Sequence, residues 1–476
     1  MNPSKKYQVV VGLDIGTTKI AAIVGQMDEF GKIHILGVGK ADSQGVARGE
    51  VVNIELTVNS IKQAVAEAEK QSGMKIHEVY VGIAGEHISS MQNNGINMLG
   101  APDTEVVESH IRSMIDDMRK IAVNPGERII HVLPQEFTID NQPVPKNPVG
   151  MCGSRLSANF HIITGKVAAA QNIIKCVERA GLKSAGLILE PLASSASVLS
   201  EDELEAGVVL VDIGGGTTDI AIFQENVIRH TAVIPLAGNI LTEDIKTGCS
   251  VLKKQAEKLK VRFGHALEHG LSENEIISIP GIAGRAHKEI SVITLSRIIS
   301  ARLEEIFQHV FFEIKSSGYS KKLIAGIVVT GGGSQLRHLT QFVEYHTGLP
   351  TRVGLPTEYL AKNSDQLKNP ILSTGIGLII KGYDDLREEG KLRFVEEEAI
   401  VAEPVIKQVV PEQSISVAPI VEAEKEMVET MVEKEEEQTT YYEQPRKERS
   451  KPFWSAWAKS AKDWFKDDSI HNDFEQ

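Results

Sequence analysis

The chain has 476 residues, 42% of them hydrophobic, and a formal net charge of −13, enough for two to four compact units with sizeable cores. The negative balance argues against wholesale nucleic-acid binding, and the three scattered cysteines, Cys152, Cys176 and Cys249, imply neither a disulfide framework nor metal-ligand spacing. No run approaches ~18 consecutive apolar residues, which argues against a membrane-spanning helix, and the N-terminal stretch lacks a signal-peptide pattern.

Residues 7–25 read as an apolar strand, a Gly-Thr-Thr turn and a second apolar strand, with the continuous runs expected of strands covered on both faces. Residues 56–72 place Ile61, Val65 and Ala68 on one helical face, and VYVGIAG (79–85) is another buried strand. The rhythm then breaks. Residues 86–162 hold a helix over 105–121, the alternating strand RIIHVLPQEFTID and the Pro/Gly-rich loop NQPVPKNPVGMCG, and are read as an inserted α+β subdomain. Alternation resumes at 163 with a helix over 166–180 that ends at Gly181, a strand over 187–190, a helix over 191–199 and a strand-turn-strand over 208–223. Residues 240–326 are mainly helical with an interruption near PGIAGR. IAGIVVTGGGSQL (324–336) is a strand, a glycine turn and a helix start, and a last helix is expected over 372–381.

From about Tyr383 the composition changes. Between 396 and 437 there are 13 Glu and 3 Lys, so 383–449 reads as a disordered acidic linker. The sign then reverses: 446–466 holds seven Lys or Arg against Glu448 and Asp463, together with all three tryptophans. Taken as a helix, 450–466 puts Phe453, Trp457 and Trp464 on one face, widened by Trp454 and Phe465, with Lys459, Lys462 and Lys466 opposite. Such a helix suits an anionic membrane surface.

Two segments repeat. LDIGTTKI (13–20) and LVDIGGGTTDI (210–220) each join an apolar strand, an Asp, a Gly and a hydroxyl-rich turn to another apolar strand. Backbone N–H groups of small residues can approach phosphate oxygens, and threonine hydroxyls add donors. The candidates are Gly16, Thr17, Thr18 and Lys19 in the first loop and Gly214, Gly215, Gly216, Thr217 and Thr218 in the second. An aspartate beside polyphosphate needs an intervening cation, so Asp14 and Asp212 are candidate holders of hydrated Mg2+. The later turn Gly331, Gly332, Gly333, Ser334 would let an adenosine lie against bare backbone.

The order loop, connecting helix, loop, glycine turn, connecting helix resembles the actin, sugar-kinase and DnaK-type chaperone superfamily. The resemblance implies two lobes with ATP and Mg2+ in the cleft between them. The connecting segments would be ILEPLASSASVL (188–199) and ILSTGIGLII (371–380). Glu190 matches the acidic residue that such proteins use near the attacking water. Glu257 and Lys260 match a helix carrying ribose and adenine contacts, and Gly238 and Asn239 a loop near phosphates or ribose.

Within the superfamily, VYVGIAGEHI followed by a mobile Gly/Asn segment, GIAGRAHKEIS (281–291) with LSRIISARLEEIF (295–307), and the linker and terminal helix together are similar to the FtsA family of bacterial cell-division proteins. That implies an α/β, actin-like two-lobed ATPase fold with an inserted α+β subdomain in the first lobe. The first lobe would be 7–85 and 163–200, with 86–162 inserted. The second would be 201–249 and 327–382, with 250–326 as its small subdomain. The resemblance further implies polymerisation, at most slow ATP hydrolysis, and a peripheral place on the cytoplasmic face of the membrane at the division site. The partners would be the C-terminal tail of FtsZ, anionic lipids and downstream division proteins. Arg285 and Arg302 match basic positions in the FtsZ-tail subdomain. A PilM-like pilus-assembly protein is the alternative, since it shares the inserted subdomain.

Overall fold

The computed structural model describes residues 6–144, 147–272, 274–281, 286–361 and 367–395. The two apolar hairpins form as expected. Lys6–Ile15 pairs antiparallel with Lys19–Asp28 up to Ile15↔Ile20, and Val208–Ile213 pairs with Thr218–Gln224 up to Ile213↔Thr218. Each hairpin lies inside a larger sheet. The first runs Ile33–Asp42, Lys19–Asp28, Lys6–Ile15, Glu78–Ile83, Lys183–Leu189; the second runs Val227–Ile234, Thr218–Gln224, Val208–Ile213, Gly326–Thr330, Thr351–Val353. In both, three strands form an antiparallel meander and two more are added in parallel. The repeat seen in the loops is therefore a repeat of half the molecule.

Parallel neighbours need a crossover, and helices supply it. Ile54–Ser72 begins at Asn53, whose side chain accepts from Leu56 N–H, ends at Gly73 (φ 69°), and buries Val58, Ile61, Ala64, Val65 and Ala68. Two further helices, Glu190–Val198 and Ser373–Glu388, cross each other between the halves. They cross so closely that a Cβ on Gly377 would lie 1.8 Å from the Ala193 carbonyl oxygen. Ser197 Oγ donates to Ser373 O at 2.8 Å across the same contact.

The inserted unit is a four-stranded antiparallel sheet in the order Ile88–Met98, Arg155–Lys166, Glu127–Ile139, Gln142–Val144. The helix Glu108–Met118 covers it with Met114 and Met118, against Phe137, Leu156 and Phe160. The Gly/Asn segment, expected to be mobile, is an edge strand paired along its length. Its side chains are mostly exposed, so no apolar alternation marks it.

The C-terminal boundary differs from expectation. The last helix does not stop at 381 but runs Ser373–Glu388, and Phe394–Val395 then pairs with Lys6 and Tyr7. Tyr383, taken as the start of a linker, is fully buried; its hydroxyl donates to Gln8 O (2.6 Å) and accepts from Met27 N–H (2.9 Å). Ile376, Ile379, Ile380 and Tyr383 form one apolar stripe, which the acidic residues just beyond it obscured.

Residues 250–326 are helical as expected, with Lys253–Phe263 and Val292–Ser316, but they also hold the hairpin Ile276–Ile279 with Lys288–Ser291. Arg285, the stretch 396–449 and the segment 450–466 with Phe453, Trp454, Trp457, Trp464 and Phe465 lie outside the described residues. Among the described residues no helix is long and apolar enough to cross a membrane.

Candidate functional site

The two hairpin turns face each other at the crossing of the connecting helices. A Cβ on Gly215 would fall 1.8 Å from Thr18 Oγ1, and one on Gly216 would fall 2.5 Å from Thr17 Oγ1. Only glycine backbone fits that approach. Gly214 N–H bonds Thr217 O (2.9 Å) and closes the second turn. The hydroxyls divide in role: Thr18 is exposed, Thr17 accepts from Gly49 N–H (3.2 Å), and the fully buried Thr218 donates to Leu236 O (2.7 Å). Thr218 therefore braces the hairpin.

Beneath the turns lies a cluster of buried carboxyls. Asp14 pairs with Lys19 (3.0 Å), whose ammonium also donates to Ile371 O (2.7 Å). Asp212 accepts from Ser194 Oγ (2.5 Å) and Thr374 Oγ1 (3.3 Å), one from each connecting helix. Burial pushes the Asp212 carboxyl up from its ordinary value, with Asp14 adding to the shift. Glu190 is raised well above the usual carboxylate range, first by burial and then by Asp14, Asp219 and Asp212, while Lys19 opposes the rise. Gly82 makes room for it, since a Cβ there would meet Glu190 Cγ at 3.0 Å.

Asp219 was not anticipated. It stands opposite Asp212 in the hairpin, where Ala21 stands opposite Asp14 in the first. Burial and then Asp212 hold its carboxyl well above the usual range, Thr217 Oγ1 donates to one oxygen (3.3 Å), and the other oxygen, Oδ1, is buried with no partner. A buried, unmatched carboxyl oxygen is costly unless a cation or a bound donor meets it. Among the described residues no three Asp, Glu, His or Cys side chains are grouped to hold a metal directly. This donor set instead suits a hydrated cation held through water.

The glycine turn rests on the second loop. Gly331 (φ 79°) approaches Asp212 so closely that a Cβ would lie 2.2 Å from Oδ1, and Gly333 packs on Ile213, whereas a Cβ on Gly332 would make only an ordinary contact, 3.9 Å from Ile371 Cγ1. A 3-10 turn, Gly332–Gln335, replaces the expected helix start, and Ser334 Oγ donates to Gly331 O (2.8 Å) inside it. Gly238 and Asn239 use their backbone N–H groups on Gly214 O (3.1 Å) and Gly215 O (2.7 Å), so in this arrangement they brace the second loop. Lys260 donates to Gly238 O, Thr242 Oγ1 and Glu257 Oε2, each at 2.8 Å, which ties Glu257 and Lys260 to the same corner.

Arg302 lies apart from this cluster. Its guanidinium is bound by Asp244 (2.5 and 3.0 Å) and by Glu305, so its charge is already matched. Two cavities also lie elsewhere. One, of about 680 Å3, is bounded by Arg128, Ile130, Ile174, Leu182 and Leu187; the other, of about 390 Å3, lies beside Arg352 and Glu203.

A model of the cell division protein FtsA matches residues 209–377, and a model of the SHS2 domain inserted in FtsA matches residues 85–164. The cell division protein FtsA of Pseudomonas aeruginosa is 44% identical over 376 residues, covering 79% of this chain and 89% of that protein. The chain belongs to the FtsA family of cell division proteins. The FtsA proteins of Neisseria meningitidis and Escherichia coli K12 are 42% and 39% identical, covering 80% and 79% of this chain and 91% of each relative. Among solved structures, the PilM-PilN type IV pilus biogenesis complex has a TM-score of 0.57 at 16% identity, covering 78% of this chain and 98% of that one. That likeness shows the fold alone, so the pilus-assembly alternative gives way to FtsA. The actin-like α/β fold and the inserted α+β unit stand as expected.

Proposed function

We propose that this cell division protein binds Mg-ATP between its paired loops and tethers the division machinery to the membrane. The facing glycine loops above the carboxyl cluster carry the nucleotide reading. Asp14 and Asp212, with the unmatched Asp219, would hold hydrated Mg2+, which supplies positive charge against the phosphates. The backbone at Gly16, Gly214, Gly215 and Gly216 would contact the phosphates, and the backbone of the Gly331, Gly332, Gly333 turn would take the adenosine. Glu190 would act only on hydrolysis, since it lies below the loops and is shifted toward its neutral form. The double variant Asp14→Ala, Asp212→Ala should bind Mg-ATP at least about tenfold more weakly, or 1.4 kcal/mol, because the cation loses two of the three carboxylates around it. Titration calorimetry measures this, and unchanged affinity would remove the assignment.

The tether reading rests on family membership and on the segment 450–466. Its Phe453, Trp454, Trp457, Trp464 and Phe465 would enter the interface of the cytoplasmic leaflet at the division site, while the lysines meet anionic lipid at about 1 kcal/mol each. The folded body would polymerise, bind the FtsZ tail through 250–326 and receive downstream division proteins. At Arg302 an acidic tail must displace Asp244 and Glu305, and Arg285 is the second candidate contact. Deleting 450–476 should abolish sedimentation with anionic vesicles, and with it the recovery of FtsZ, while Mg-ATP binding persists. Arg302→Glu should lower FtsZ recovery more at low salt than at high salt. Vesicle binding by the truncated protein would place the anchor elsewhere, and equal recovery by Arg302→Glu at every salt concentration would remove Arg302.

A further inference from the structure

The inserted unit touches both halves of the molecule, and one of its strands, Glu127–Ile139, reaches both. At one point His131 Nε2 accepts the backbone N–H of Leu189 at 3.0 Å. Leu189 ends a strand of the first sheet and is the N-cap of the helix that starts with Glu190, so this bond fixes the junction that aims Glu190. Burial, then Lys381 and Arg119, lower His131 to about 4, so its ring stays neutral and Nε2 stays an acceptor.

Four and five residues further along, the same strand reaches the second half. Gln135 Nε2 donates to Ile228 O at 2.6 Å with both groups buried, and Glu136 pairs with Arg229 at 2.5 Å. The neighbouring strand adds a buried bond between His161 Nε2 and Thr231 Oγ1 at 3.2 Å. Ile228, Arg229 and Thr231 all belong to Val227–Ile234, the edge of the second sheet. One rigid sheet is thus fastened to the Glu190 junction and to the outer strand of the other half. A change in the separation of the halves must either carry the insert with it or break one of these contacts.

We propose that the inserted unit is a clamp across the two halves, with His131 as the positioning residue that links it to Glu190, so that occupancy of the phosphate site is transmitted to the second-half edge strand. The sensing of occupancy rests on the nucleotide reading above; the mechanical link does not. Loss of the His131 acceptor leaves the Leu189 amide unmatched and uncouples the strand Glu127–Ile139 from the Glu190 junction. His131→Gln retains an acceptor at nearly the position of Nε2; His131→Leu does not.

Hydrogen exchange followed by mass spectrometry tests both parts on the full chain, with thermal melts confirming that each variant is folded. Without nucleotide, His131→Leu should speed exchange at 187–192 and also at 227–231, by fivefold or more, and His131→Gln should restore most of the protection. If His131→Leu speeds exchange only at 187–192, there is no link and the clamp is wrong. Gln135→Leu supplies the same test from the other end, and faster exchange confined to 227–231 would be equally fatal. With Mg-ATP, the wild type should gain protection at 212–218 and at 227–231 together, and His131→Leu should gain it at 212–218 alone. Protection at 212–218 in the wild type with none at 227–231 overturns the sensing role while leaving the nucleotide reading intact. No protection at 212–218, together with no measurable affinity, overturns the nucleotide reading and sensing with it, and the link is then decided by the measurements without nucleotide.

Discussion

Replacing Glu190 with Gln should raise the melting temperature at pH 8 and leave it almost unchanged near pH 4. Burial and the neighbouring Asp14, Asp219 and Asp212 make the folded protein hold the proton of this carboxyl more tightly than an ordinary glutamate of pKa 4.5 does. Below about pH 4.5 both folded and unfolded chains carry the proton, and the group is neutral in its effect on pH dependence. Above that pH the unfolded chain releases the proton and the folded one keeps it. Stability then falls by about 1.4 kcal/mol per pH unit until the folded group also ionises. Glutamine has the same shape and nothing to ionise, so it removes that slope. Urea denaturation across a pH series measures the difference, and an equal gain at every pH would show that ionisation is not its source. Asp219→Asn should behave alike, but the two gains should not add, because each change relieves its neighbour.

Gly377→Ala should destabilise the protein by about 4 kcal/mol or more, a size reserved for a few kinds of substitution. Helix propensity argues the other way, since alanine within a helix is favoured over glycine by roughly 0.5–1 kcal/mol. Packing decides the sign. A methyl group on Gly377 would lie 1.8 Å from Ala193 O and 2.2 Å from Ala193 C, and neither backbone atom can rotate aside. The two connecting helices must separate, which strains the bond from Ser197 to Ser373 (2.8 Å) and the shared grip of Ser194 and Thr374 on Asp212. A melting temperature equal to or above that of the wild type would show that the crossing is looser than this geometry requires.

Much of the site was legible because it is written twice. The repeated strand, Asp, Gly and Thr pattern marked both loops, and the structure brings them face to face. Asp219 lies inside the same motif, which does not by itself mark it as part of the site. Counting back from the turn would have found it, since hairpin register puts it opposite Asp212, where the first loop has Ala21. Arg302 shows the opposite limit. Its contact with Glu305 is three residues away and visible in the sequence, but Asp244 lies 58 residues off and only the fold brings it near. The strand Ile88–Met98 escaped hydropathy because pairing with one neighbour, not burial, holds it. The last helix was cut short because charged residues on its exposed side masked a stripe that reaches Tyr383.

The pairing of Phe394–Val395 with Lys6 and Tyr7 sets how a pull on the remaining 81 residues would enter the folded body. The short strand runs antiparallel to Lys6–Ile15, so tension directed along it loads the pairing in shear, backed by the stack of Phe394 on Tyr7 at 4.1 Å. Once those two pairs yield, the force passes to the helix Ser373–Glu388, which at 1.5 Å per residue is about 24 Å long. Near its far end, Ile371 O holds Lys19 and Thr374 holds Asp212. A drag on the tail and the facing loops are therefore in mechanical series, separated by one helix.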